Sequence, residues 1–150
     1  MMTNASLPTS LPTIEKYLDA LINQDTITMQ AMRTSDFIFD WVHSDASQNK
    51  PMDFEQTNQF WPTWFKGFSE MDYEVTRTIA AESVVVIQWT FTGTHDRPLG
   101  TPVFDPPLEP TNRTIQLRGV SVYDIKDLLI NRETMYIDLA TLWVELGIRE

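Results

Sequence analysis

The chain has 150 residues, 42% hydrophobic and 21% charged, which bounds it to one globular domain with room for a proper core. A formal net charge of −10 excludes a basic face for nucleic acid or anionic membrane and disfavours a polyanionic substrate. With no cysteine and only His43 and His95, the chain offers no disulfide frame, thiol nucleophile, zinc–thiolate site or histidine-rich metal centre.

The N-terminal MMTNASLPTSLPT has neither a basic n-region nor an apolar h-region, so it is not a secretory signal. No apolar run reaches membrane-spanning length, and a cytoplasmic location is expected. Residues 1–12, rich in Ser, Thr and Pro, read as a flexible arm before a single domain over 13–150.

Helical spacing of Ile14, Tyr17, Leu18, Leu21 and Ile22 predicts a first helix, broken by Asn23–Asp25. Asp25 then caps a short second helix carrying Ile27, Met29 and Met32. DFIFDWVHSD reads as the first strand. Asp53 and Gln56 are spaced as a capping box for a third helix with Phe54, Asn58, Trp61, Phe65 and Phe68 on one face. Pro62 inside that pattern predicts a kink or two short helices.

From residue 72 the period changes, and YEVTRTIA, SVVVIQWTFTGTH, TIQLRGVSVYDI and LLINRETMYI read as four strands. In the second, Val85, Ile87, Trp89, Phe91 and His95 share one face, opposite Gln88, Thr90, Thr92 and Thr94. The Pro-dense stretch after His95 predicts a long loop over a pocket mouth, and a last helix runs from about Leu139 to Leu146 with Gly147 as its stop. Helices followed by a run of strands, without βαβ alternation, predict an α+β fold: a curved antiparallel sheet with helices on one face.

Asp138 stands where the last strand meets the last helix. It can cap that helix, or serve as a pocket acid/base if the Tyr136 side of the strand lines a dry cavity. His95 closes an apolar strand face, where it either binds a carbonyl at a pocket rim or is a hydrogen-bonded strand-end residue. Arg118 is either a partner for an enolate or a solvated sheet charge. Tyr17, Trp61, Trp64, Trp89 and Tyr136 either shape a ligand cavity or fill the core. His43, Ser44 and Asp45 are sequence neighbours and form no relay on that ground. The sequence holds no phosphate loop, nucleophile elbow or dinucleotide fingerprint.

FTGTHDRPLG, EPTNRTIQLRGVSVYDI and INRETMYIDLATLWVELG together resemble the SnoaL-like polyketide cyclase (ester cyclase) family of the nuclear-transport-factor-two-like superfamily. The likeness runs from about Thr13. It implies a cone-shaped α+β barrel in which helices pack on the concave face of a bent sheet around a deep hydrophobic pocket. It also implies a homodimer and an intramolecular aldol ring closure of a small hydrophobic carbonyl compound, without metal or organic cofactor. Asp138 matches the family's acid/base, and His95 its motif histidine. The chain departs from the pattern in having Asn112 for the usual hairpin Gly, KDLLI without the Asp-Gly turn, and Glu145 where Gln is common. The same fold hosts epoxide hydrolases, whose extra mid-sheet charges VVVIQWTF lacks. It also hosts ketosteroid-isomerase-like isomerases and non-catalytic ligand-binding or dimerisation modules, which stand as the alternative functions.

Overall fold

The structure, a computed structural model, describes residues 8–42 and 50–148. Its elements in chain order are α1 (Ser10–Ile22), α2 (Thr26–Ala31), β1 (Arg33–Val42), α3 (Phe54–Lys66), β2 (Phe68–Ala80), β3 (Val84–His95), β4 (Thr114–Lys126), β5 (Leu129–Ile137) and α4 (Leu139–Glu145). The His43–Asp45 group lies outside the described residues. No helix among them is long and apolar enough to cross a membrane.

Helix ends fall where local chemistry puts them. The Asp25 carboxylate accepts the Thr28 N–H at 3.1 Å and opens α2. At α3 the capping box is complete: Asp53 accepts from the Gln56 amide at 2.9 Å, and Gln56 accepts from the Asp53 amide at 3.0 Å. The helix continues through Pro62 as one element, so the two-helix alternative does not occur. α1 begins earlier than expected, at Ser10, because the buried Ser10 hydroxyl donates to the Ala81 carbonyl and draws the end of the N-terminal arm into the fold.

The strands form one curved sheet of five in the order β1-β5-β4-β3-β2. Two expectations need correction. The sheet is mixed rather than wholly antiparallel, because β1 pairs β5 in parallel while the other neighbours run antiparallel. It is also not closed into a barrel: β1 and β2 form its edges and do not pair with each other. Along β3 burial alternates as the period of two requires, with Val85, Ile87, Trp89, Phe91 and His95 inward. The inward face packs against Ile14, Tyr17, Leu18 and Leu21 of α1 and Phe60, Trp61, Trp64 and Phe65 of α3 in a single aromatic-rich core. Gln88 and Gln116, on the outer face, are exposed.

The long loop after β3 does not cover a pocket mouth. It folds back on the end of α3, where Leu99 is fully buried against the bare Cα of Gly67 and is bridged to Leu108 by two backbone hydrogen bonds of 2.9 Å. None of its residues lines the apolar cavity described below.

Both departures from the motif glycines occur at left-handed backbone. Asn112 has φ 56°, and Asn is the non-glycine residue that best tolerates it. The β4–β5 hairpin turns on Asp127 and Leu128, with φ 53° and 65°, a two-residue geometry that favours glycine at its second position. Leu128 is 64% exposed and gains little packing in return. Leu128→Gly is expected to raise stability by about 0.5–1 kcal/mol, the relief of the left-handed penalty less the extra unfolded-state entropy, read as a higher denaturation midpoint at unchanged m.

Candidate active site

β5 carries Glu133, Asp138 follows directly after its last residue, and the pleat separates the two carboxylates. Glu133, Met135 and Ile137 point toward the helices, while Tyr136 and Asp138 point to the outer face. Asp138 is exposed and is the N-cap of α4, accepting the Thr141 N–H at 3.2 Å and the Thr141 hydroxyl at 2.7 Å. The hydroxyl contact first, and then the amide, hold its pKa below the ordinary aspartate value. Around it, Arg118, Tyr136, Gln88 and Thr90 help line an open groove of ≈ 640 Å³ on the outer face.

Between the sheet and α3 lies an apolar cavity of ≈ 40 Å³, set in ≈ 460 Å³ of unfilled space that includes its solvent-open mouth. Trp61, Trp64 and Trp89, which belong to the aromatic core, also line it, together with Tyr73 and Met135. Trp61 stacks on Phe39 with centroids 5.9 Å apart, and Trp64 leans on Phe68 and Phe91. Trp89 stacks on Tyr73 at 5.4 Å and donates its indole N–H to Ser121 Oγ at 3.0 Å. That reach depends on Gly119, directly across the ladder, where any Cβ would collide with the indole ring.

Tyr17 sits in a buried polar cluster apart from the lining residues. Its hydroxyl accepts from Arg33 Nε at 3.0 Å and Nη2 at 2.8 Å, while Arg33 Nη1 donates to Asn58 Oδ1 at 3.1 Å. Glu133, 0% exposed, belongs to this cluster and stands directly across the ladder from Tyr123. Burial pushes the Glu133 carboxyl up to about 7, against the opposing pull of the Arg33 charge and of the Ser121 and Tyr123 hydroxyls. Neither carboxyl oxygen makes a hydrogen bond of full geometry among the described residues, and the same holds for the Tyr73 and Tyr123 hydroxyls. The Tyr17, Tyr73 and Tyr123 hydroxyls are raised by burial, and the Glu133 charge adds to this in each.

Glu133 is the residue sequence reasoning passed over. Its signal was present: one charge on a strand face otherwise made of Met135 and Ile137. Parity names the face, but only the packing of α1 and α3 decides that this face is the dry one.

His95 is fully buried at the end of β3 and does not line the cavity. Its Nδ1 accepts the Thr111 N–H at 3.1 Å and lies 3.0 Å from Thr111 Oγ1, so the ring ties the long loop to the sheet. Desolvation lowers its pKa, against the raising effects of the Arg97 backbone and the Asp96 charge. No group of His, Asp and Glu among the described residues is arranged to hold a metal ion.

Residues 13–146 match the family model described as SnoaL-like polyketide cyclase. No curated protein matches the sequence. Among solved structures, a proposed SnoaL-like polyketide cyclase from Jannaschia sp. CCS1 superposes with TM-score 0.80 at 15% identity, covering 100% of both chains. A proposed polyketide cyclase from Silicibacter sp. TM1040 gives 0.71 at 22% identity, covering 95% of this chain and 98% of that one. An LEH-like epoxide hydrolase from M. tuberculosis gives 0.65 at 16%, covering 93% and 90%. Likeness at these identities establishes the fold, which serves more than one chemistry.

Two measurements separate the carboxylates. From pH 4.5 to about 7 the folded chain holds a proton on Glu133 that the unfolded chain has released, so this group makes stability fall as pH rises through that window. Glu133→Gln is expected to remove that limb, and denaturation of variant and parent at pH 4.5 and pH 8 should reveal a relative gain of about 3 kcal/mol at the higher pH. Asp138→Asn keeps a good cap and leaves the melting temperature unchanged, whereas Asp138→Ala lowers it by a few degrees in a thermal melt.

Proposed function

The chain belongs to the SnoaL-like polyketide cyclase family, and on that premise we propose that it is a cofactor-independent acid–base catalyst acting on a small hydrophobic carbonyl compound. The reaction is an aldol-type ring closure, and Glu133 carries the proton. One observation supports this above the others: a fully buried carboxyl with a pKa near neutrality, set among tyrosine hydroxyls behind an aromatic cavity. A general base works best when its pKa lies close to the operating pH, and Glu133 meets that condition where a depressed surface carboxylate does not.

Tyr73 joins the two regions, since it lines the cavity while its hydroxyl is buried within the field of Glu133. In the proposed step the carbon next to the carbonyl gives its proton to the Tyr73 oxygen as the Tyr73 hydrogen passes to Tyr123 and the Tyr123 hydrogen to the Glu133 carboxylate. The enolate carbon then bonds to a second carbonyl carbon of the same molecule. The alkoxide so formed takes a proton from Tyr73, which is replenished from Glu133 through Tyr123, and all three groups return to their starting state. At ≈ 40 Å³ the cavity is well below the roughly 150 Å³ that holds a benzene-sized molecule, so any substrate would need the lining aromatics to move aside.

A second reading is a pocket protein that binds such compounds without turning them over. The capping geometry of Asp138, the family-matched residue, favours it. Deuterium exchange into the α-positions of cyclopentanone, followed by NMR in D₂O, tests both. Under the proposal the protein accelerates exchange with a single ionisation near pH 7, Glu133→Gln loses roughly 100-fold or more, and Asp138→Asn stays within a few-fold of the parent. Acceleration that survives Glu133→Gln but disappears in Asp138→Asn would return the acid/base role to Asp138. Binding without any acceleration would favour the second reading.

A further inference from the structure

Ser121 stands out on the inward face of β4: it is fully buried, with Ile87 and Met135 directly across the two neighbouring strands. A hydroxyl in such a place is unfavourable unless its hydrogen-bonding functions are used. One of them is fixed. An indole N–H only donates, so in the 3.0 Å bond from Trp89 Nε1 the Ser121 oxygen is the acceptor, and its own hydrogen is left for another partner. Two acceptors lie within reach. One is the Tyr123 oxygen, two residues along the strand, and the other is the Glu133 carboxyl, whose pKa the Ser121 hydroxyl draws down against the effect of burial. An ionised carboxylate is the stronger acceptor of the two. Ser121 thus links a ring of the cavity wall to the carboxyl behind it.

The other groups facing Glu133 are Arg33 from β1, Tyr17 from α1, Tyr73 from β2 and Tyr123 from β4, with the neutral Asn58 of α3 held by Arg33. Arg33 is permanently charged and spends its nitrogens on Tyr17 and Asn58, and burial keeps the three tyrosine hydroxyls protonated near neutrality. Glu133 is therefore the member of this cluster that changes charge there. We propose that Ser121 is a positioning residue of the site: with its oxygen held by Trp89, its hydrogen turns to Glu133 when that carboxyl ionises, so the charge state of the acid/base group is carried to the cavity wall. This rests on reading Glu133 as the acid/base group; Ser121 acts through its neighbours and touches no substrate. Donation by the hydroxyl makes its oxygen a better acceptor, so the Trp89 N–H bond tightens as Glu133 ionises and holds the indole more firmly beside Tyr73.

The indole N–H resonances of ¹⁵N-labelled protein, followed between about pH 5 and 9, test this, with the Trp89 peak identified by its loss in Trp89→Phe. The Trp89 peak is expected to move downfield as pH rises, with a midpoint near 7, and to stay in place in Glu133→Gln. In Ser121→Ala it should lose most of that movement, while the midpoint of the ¹³C-labelled Glu133 carboxyl rises by roughly one pH unit. Ser121→Thr, which keeps the hydroxyl, should restore both. The comparison of parent with Glu133→Gln leaves position 121 untouched, so it decides the matter even where a change there disturbs the sheet. A Trp89 peak that stays in place while the Glu133 carboxyl titrates, or that follows it undiminished in Ser121→Ala, overturns the proposal. A Glu133 carboxyl that does not titrate near neutrality overturns it together with the acid/base reading. A Trp89 peak coupled through Ser121 in a protein without α-exchange upholds the proposal and strikes only the catalytic assignment.

Discussion

The pleat of β5 is the constraint from which the site follows. Glu133 and Asp138 are separated by an odd number of positions, so they cannot share a face of one regular strand. Once α1 and α3 cover one side of the sheet, the dry face receives Glu133 and the wet face leads to Asp138. A register slip of one residue would exchange them and would also turn Met135 and Ile137 outward, at a cost in apolar burial that fixes the pairing. Helix packing and carboxylate chemistry are therefore decided together.

Keeping Glu133 inside requires compensation that only neighbouring elements can provide. Arg33, at the start of β1, is itself buried, and its three donor nitrogens are spent on Tyr17 and Asn58 from α1 and α3. It steadies the carboxylate through space without a direct ion pair to it among the described residues. A close bidentate partner would hold the pKa low and leave the group permanently ionised, whereas a buried carboxylate with no cation nearby would stay protonated throughout the neutral range. The arrangement here lies between those limits, and for that reason the group titrates where proton transfer is useful. The parallel pairing of β1 with β5 brings Arg33 to this position, which gives the mixed character of the sheet a consequence for the site.

What was legible in the sequence was what is local. Asp25, the Asp53–Gln56 box and Gly147 (φ 76°) mark helix ends through groups within a few residues of each other, and the structure has each in place. The period of two gave the inward set of β3 for the same reason. For the three tryptophans the sequence left core and cavity open, and they serve as both, because large aromatics on covered faces have few other places to go. Glu133 was missed because its burial is a non-local fact, as was the pairing of β1, whose partner lies about a hundred residues away. Tyr136 and Arg118, left open in the sequence between a ligand site and other roles, lie on the outer face, where they line the groove beside Asp138. His95 was read correctly as inward, yet an inward position near a strand end suits tying a loop as well as meeting a ligand.

Asp138, the position the family resemblance singles out, caps α4. Its carboxylate spends both oxygens on Thr141, and each contact favours the ionised form. A base stabilised in that way is a weaker base, since the interactions that hold the negative charge must be surrendered as the proton arrives. The same interactions make it a good cap, because the start of α4 leaves amide donors unsatisfied and a charged acceptor suits that end of a helix. Capping and proton abstraction thus pull the same carboxylate in opposite directions, and a chain that uses it fully for the first has reason to place the second elsewhere. Five positions earlier, on the face that water does not reach, Glu133 is free of that conflict.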